Sequence, residues 1–202
     1  MDINTINDFE LIELISKGNH KAFDILYNKY SDVLFRYGKK LTQNQSLIED
    51  CIHESFLKIW DNRERIKIEY SLKFYLLKIF KREVIKEVSK NKNSVSLESE
   101  AFNYQWEQSF LEILTENQIM LESNENIKMA VNLLSDRQRE AVFLKYIEGL
   151  SYEEVSKLMD IQVNSLYNLV SKALKIMYQF LLKKQNTAQS IWISIVFWKI
   201  ND

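Results

Sequence analysis

From Asn19 onward, apolar and aromatic residues recur at steps of three and four: Phe23, Leu26, Tyr27, Tyr30, Val33, Leu34, Tyr37 and Leu41. This spacing lays them along one face of an α-helix whose start Gly18 and Asn19 punctuate. A turn at residues 42–45 leads to Ser46, whose hydroxyl can cap a second helix while Glu49 reaches back to it. Ile48, Ile52, Phe56 and Ile59 then form the inner face. After a polar stretch over residues 61–69, a further amphipathic helix begins near Ser71, with Leu72, Leu76, Ile79 and Val88 set among six basic residues.

Charge sign and hydrophobic period both change at residues 91–96, which predicts the end of a first domain near residue 95. Residues 96–125 read as an acidic linker, although Phe102, Tyr104, Trp106, Phe110, Leu111, Ile113 and Leu114 are too many large apolar groups for a purely solvated tether. A second domain, residues 126–185, opens with Ile127, Ala130, Val131 and Leu134 on one face. Ser135 is placed to cap a helix from Asp136 to about Ile147, stopped by Gly149. Ser151 and Glu154 form a capping-box pattern for a short helix ending near Met159, and residues 160–162 make a turn. The last helix turns Val163, Leu166, Val170, Ala173, Leu174 and Met177 inward, leaving Asn164, Ser165, Asn168, Ser171, Lys172 and Lys175 outward. Short helix, tight turn and longer helix make helix-turn-helix spacing. A helical hairpin of an ordinary bundle shares that spacing, so the pattern alone leaves both readings open.

Composition agrees with long helices: the 202 residues contain no proline and only Gly18, Gly38 and Gly149 as glycines. The expected fold is all-α, with two small helical domains joined by the acidic linker. Net charge is −1, an unpromising total for a nucleic-acid binder. The distribution changes that picture: residues 63–92 hold ten Lys and Arg against four Glu, whereas residues 93–127 hold seven Glu and no Lys or Arg. The acidic middle conceals a basic face.

The first basic helix combines Lys73, Lys78, Lys81, Arg82 and Lys86 with Tyr75, and with Phe74 and Phe80 nearby. Cations can hold phosphates beside an aromatic surface on which a base can stack. In the second domain, Gln162, Asn164, Ser165 and Asn168 sit where a recognition helix meets base edges in the major groove. Lys172 and Lys175 lie further along, in reach of phosphate.

Catalysis finds little support. Cys51, His53 and Glu54 are the one tempting cluster, but residues two apart on a helix point roughly 200° apart, which separates the thiol from the imidazole. Two histidines and one cysteine fall short of a zinc site, and no glycine-rich phosphate loop is present, so neither metal nor cofactor is expected. The lone cysteine and the start MDINTINDFE, without a secretory pattern, point to a cytoplasmic protein. The tail at residues 186–202 contains IWISIVFWKI, about half the roughly 20 residues a spanning helix requires, so no membrane insertion is expected.

The stretch LLSDRQREAVFLKYIEGLSYEEVSKLMDIQVNSLYNLVSKAL, residues 133–174, resembles region 4 of bacterial sigma factors of the extracytoplasmic-function (ECF) group. Its distinguishing residues are Leu134, Arg137, Gln138, Arg139, Val142 and Phe143, then Glu148 to Tyr152, with Glu154 and Val155 following. AFDILYNKY and IEDCIHESFLKIWDNRERI resemble region 2, and SLKFYLLKIFKREVIKEVSK its promoter-opening part. The resemblance implies a specificity subunit that binds the clamp helices and flap of core RNA polymerase and directs it to promoter DNA. It implies polymerase contacts at Asp50, Glu54, Phe56, Leu57 and Trp60, minus-ten contacts from the basic helix, and minus-thirty-five contacts from the helix-turn-helix. It further implies a pocket for an unstacked base within residues 63–70, a linker that threads toward the polymerase active site, and an anti-sigma factor as a candidate partner. No small-molecule substrate is implied. The sequence departs from the family at Ser135, Asp160 and Arg82, and at Tyr167 and Leu169, where many relatives carry Lys or Arg. A stand-alone helix-turn-helix regulator, with the first domain as sensor or dimerisation bundle, is the rival reading.

Overall fold

The computed structural model describes residues 7–90 and 121–183, with side chains in the second stretch from residue 126 onward. The expected tail and most of the expected linker lie outside the described residues. Two compact units divide the chain, residues 1–97 and 98–202, and the described elements of both are helical.

The first unit opens with a helix that the apolar stripe beginning at Asn19 does not announce. Helix α1 spans Asp8–Ser16, capped by the Asn7 side chain, which accepts from the Glu10 amide at 2.9 Å. It buries only Leu11 and Ile15. Asp8 then ties it to the next helix, accepting from Lys29 Nζ at 2.7 Å and from the Tyr30 hydroxyl at 2.6 Å. Burial first, and then the Asp8 carboxylate, push the Tyr30 phenol well above its ordinary range, so it stays a donor.

Helix α2, His20–Leu41, is capped by Asn19 and buries Leu26, Tyr30, Val33, Leu34 and Tyr37 from the expected stripe. Helix α3, Gln45–Asp61, starts earlier than the Ser46 cap predicted: Asn44 Oδ1 accepts from the Leu47 amide at 3.1 Å, which leaves Ser46 inside the first turn. Asparagine caps at least as well as serine, and the earlier residue captured the helix end. A single 3₁₀ turn, Arg63–Arg65, and an extended stretch lead to α4, Leu72–Lys90, whose first turn is closed by Ser71 Oγ accepting from the Phe74 amide. Helices α2, α3 and α4 pack against one another, and α1 lies on α2. Where the three meet stands Gly38: a Cβ there would lie 2.6 Å from Ile48 Cγ2 and 2.8 Å from Phe80 Cζ.

The second unit consists of α5 (Leu121–Asn132), α6 (Asp136–Val142), α7 (Tyr152–Met159) and α8 (Val163–Lys183). Helix α5 starts five residues before the expected opening at Asn126. The reciprocal capping box at Ser151 and Glu154 is present, and Ser135 has one with Gln138. Helix α6 widens into a π-type turn over Phe143–Ile147 before Gly149, at φ +71°, turns the chain. Asp160 adopts the left-handed conformation, φ 54° and ψ 52°, between α7 and α8. Helices α5, α6 and α7 all pack on α8, around a core that includes Val131, Phe143, Leu144, Val155, Leu166 and Val170.

Candidate nucleic-acid interface

Helix α8 follows α7 across the tight left-handed turn, so its first turns stand at the end of the helix-turn-helix. Its inner face is apolar: Leu166, Val170, Ala173, Leu174 and Met177 are buried. Gln162, Asn164, Ser165, Asn168, Lys172 and Lys175 are all exposed. Asn164, Asn168, Lys172 and Lys175 recur at steps of four, four and three, which puts them on one outward stripe. Gln162 sits at the helix start, where its carbonyl accepts from the Leu166 amide at 3.0 Å. The two departures from the family pattern behave differently: Leu169 is half-buried, whereas Tyr167 is exposed and its ring stacks on Tyr152 of α7, centroids 4.0 Å apart at 24°. Sequence reasoning missed this pair. The two tyrosines stand fifteen residues apart on different helices, a distance no helical period encodes.

On α4, Tyr75, Lys78, Arg82 and Lys86 follow one stripe at steps of three, four and four, along which Arg82 and Lys86 are exposed and Tyr75 and Lys78 half-buried. Lys81 lies to one side of it and Lys73 in the first turn, both half-buried. Burial raises the Tyr75 phenol, which therefore remains a neutral donor. The neighbouring aromatics do not contribute the surface expected of them. Phe74 is 5% exposed and Phe80 fully buried, because the inner side of α4 has to fill the space between α2 and α3. Lys86 is partly committed, lying 3.6 Å from Glu83, a buried carboxylate that also pairs with Lys58 of α3. Burial alone would raise the Glu83 carboxyl, but Lys58, followed by Lys86, outweighs it and holds the group below its ordinary value.

Helix α3 presents Asp50, Glu54 and Leu57 on one exposed stripe. Phe56 is only 1% exposed, packed against Phe23 and Tyr27, and so cannot itself touch a partner: its position lies on the inner flank of the helix. Trp60 is half-buried at the edge of the stripe, between the rings of His20 at 4.4 Å and Phe23 at 5.1 Å. The Arg63 guanidinium lies 4.8 Å over it and donates to the Trp60 carbonyl at 2.9 Å. Cys51 is buried, and burial, then Glu87, Glu83, Asp50 and Glu54, push its thiol up to about 11. Such a group stays protonated and unreactive at neutral pH.

Residues 26–94 match the family model for sigma-70 region 2, and residues 124–177 match that for sigma-70 region 4. The chain belongs to the sigma-70 family, as a sigma factor of the ECF group. It is 26% identical over 178 residues to the ECF RNA polymerase sigma-E factor of Haemophilus influenzae, covering 83% of this chain and 92% of that one. To the ECF sigma factor SigW of Bacillus subtilis it is 23% identical over 160 residues, 76% of this chain and 86% of the relative. Among solved structures it shares its fold with the sigma factor RpoE in complex with the anti-sigma factor NepR from Bartonella quintana, at TM-score 0.53 and 19% identity, covering 80% and 97% of the two chains. A structure of CnrH in complex with the cytosolic domain of CnrY gives TM-score 0.53 at 15% identity, covering 85% and 94%.

The sigma factor is therefore not an enzyme but a subunit that directs RNA polymerase to promoters. The region 2 match accounts for the first unit and sets aside the stand-alone regulator. Helices α2 to α4 hold nearly all of region 2, while α1 precedes the matched residues. The helix-turn-helix lies wholly within region 4 up to residue 177. Among the described residues, no helix is long and apolar enough to cross a membrane.

Proposed function

We propose that the two regions of this sigma factor divide promoter recognition between them, with residues 96–120, ahead of α5, as the connector. Region 2 engages the clamp helices of core polymerase through Asp50, Glu54 and Leu57 on α3, with Trp60 at the margin. The outward face of α4 meets the minus-ten element, where Tyr75 offers a ring to an unstacked base and Lys78, Arg82 and the neighbouring lysines hold phosphate. Region 4 rests on the polymerase flap and reads the minus-thirty-five element with Gln162, Asn164, Ser165 and Asn168, while Lys172 and Lys175 fix the register on the backbone.

The observation that carries this reading is the outward stripe of α8. Its side-chain amides, Asn164 and Asn168, come first and its lysines later, as expected where the N-terminal end of a recognition helix faces base edges. Support for the α3 face is its separation from the cationic face of α4 by the pairing of half-exposed Lys58 with buried Glu83. The solved relatives held by an anti-sigma factor or a cytosolic domain make a protein of that kind the natural partner for this chain in its inactive state. The working compartment is the cytoplasm, where polymerase and promoter meet.

Reconstitution with core RNA polymerase tests the assignment. The complete chain is expected to form a holoenzyme that initiates from a specific subset of promoters. Asp50→Arg combined with Leu57→Arg is expected to abolish core binding, and Tyr75→Ala to slow promoter opening without loss of core binding. Retention of core binding by the double variant would remove α3 from the proposed contact.

A further inference from the structure

The base-reading end of α8 carries no charge: residues 163–170 read VNSLYNLV. Among them Tyr167 is the one large apolar side chain that is exposed, at 39%. It is also restrained. Its ring stacks on Tyr152 with centroids 4.0 Å apart and planes 24° from parallel. Tyr152 is fixed in turn, with the Lys145 ammonium 4.7 Å over its ring and the Tyr146 hydroxyl 3.5 Å from its own. Lys145 is held by donating to the Leu150 carbonyl at 3.0 Å. A ring clamped in this way loses little further freedom on binding, which favours contact by it over contact by a mobile side chain.

In the major groove the only apolar group that a base pair presents is the thymine C5-methyl. The ring of Tyr167 is neutral and gains from covering a methyl group, whereas phosphate could be met only by its hydroxyl as a hydrogen-bond donor. We infer that Tyr167 is a specificity-determining residue that reads a thymine methyl in the minus-thirty-five element, with Tyr152 as the positioning residue that aims it. The inference rests on the proposed reading that α8 enters the major groove.

Deoxyuridine replaces thymine with loss of the methyl group alone, which isolates this contact. Holoenzyme made from the full chain first selects a minus-thirty-five sequence from a randomised promoter library, and each thymine of that sequence is then replaced singly by deoxyuridine. One replacement is expected to lower promoter affinity about fourfold, the loss that one buried methyl group implies. In Tyr167→Ala the difference between thymine and uracil at that position disappears. In Tyr167→Phe it persists, and in Tyr152→Ala it shrinks although the selectivity due to Asn168 remains, which shows that the unit is still folded.

An undiminished difference in Tyr167→Ala, or no sensitive thymine at all, overturns the inference. So does a uniform loss in Tyr167→Phe on all promoters with no dependence on the methyl group, the mark of a hydroxyl bonded to phosphate. If Asn168→Ala also leaves the selected sequence unchanged, the major-groove reading has failed. If Asn168→Ala alters that sequence while the Tyr167 variants do not, only the thymine contact has failed.

Discussion

Gly38 leaves no room for a side chain where α2, α3 and α4 meet. Ile48 and Phe80, the neighbours that a new Cβ would strike, are themselves fully buried and have nowhere to move. Gly38→Ala is therefore expected to destabilise the protein by about 1–3 kcal/mol, even though alanine is the better helix former by ~1 kcal/mol. A lowered urea midpoint for the unfolding of region 2 is the measurement. In region 4 the contrast lies between two exposed positions on the same stripe. Asn168→Ala should change base preference in the minus-thirty-five element by about 1–3 kcal/mol at one position, whereas Lys172→Ala should weaken all promoters alike and reduce the salt slope by about one. Promoter selection and salt titration of binding separate the two, and equal, sequence-independent losses would discredit both roles.

At the scale of elements, the turn between α7 and α8 and the pairing of α3 with α4 set the two candidate faces. Asp160 at φ 54° is exposed, so its conformation, not its packing, decides what can replace it. Asp160→Val should cost about 1–2 kcal/mol, while glycine, free to adopt positive φ, should be tolerated without loss; thermal melting distinguishes them. Glu83 links α3 and α4 through Lys58 and makes region 2 sensitive to acid. Because its pKa is lowered on folding, the stabilisation it provides is fully present above the ordinary value of 4.5 and is lost as pH falls through the folded value. The stability difference between the wild-type protein and Glu83→Gln should accordingly be constant near neutrality, begin to shrink as pH falls below about 4.5 and be lost once pH is below the lowered folded value. A difference that did not depend on pH would mean that Glu83 acts by packing alone.

For the whole molecule, the proposed function requires two DNA elements to be bound at once by units on one chain. Inserting half a helical turn, about five base pairs, between the two elements rotates them to opposite faces of the duplex. Initiation in vitro is expected to be lost with that insertion and largely to return with a full turn only if the connector can span the added length. Full activity at the half-turn spacing would mean that one unit suffices for promoter choice.

The apolar periods of α2, α3, α4 and α8, the capping box at Ser151 and the stop at Gly149 could all be read along the chain, because each depends on residues within a turn or two of one another. So could the outward stripe of α8, which needs only the helical period once the buried side is known. The start of α3 is not fixed by the sequence to better than a residue or two, because Asn44 and Ser46 are both competent caps and local chemistry does not rank them. Helix α1 escaped notice because it buries only two side chains and owes its place to the distant Lys29 and Tyr30. Tertiary structure alone decided that Phe74 and Phe80 are core, since an aromatic residue at the edge of a stripe faces inward or outward according to the helices beside it. It alone joined Tyr152 to Tyr167 and Lys58 to Glu83. Sequence by itself determined the principal helices and which family they serve, because those depend on local periodicity and motif. Which side chains remain free to meet a partner was decided by packing, because burial is set by residues far away in the chain.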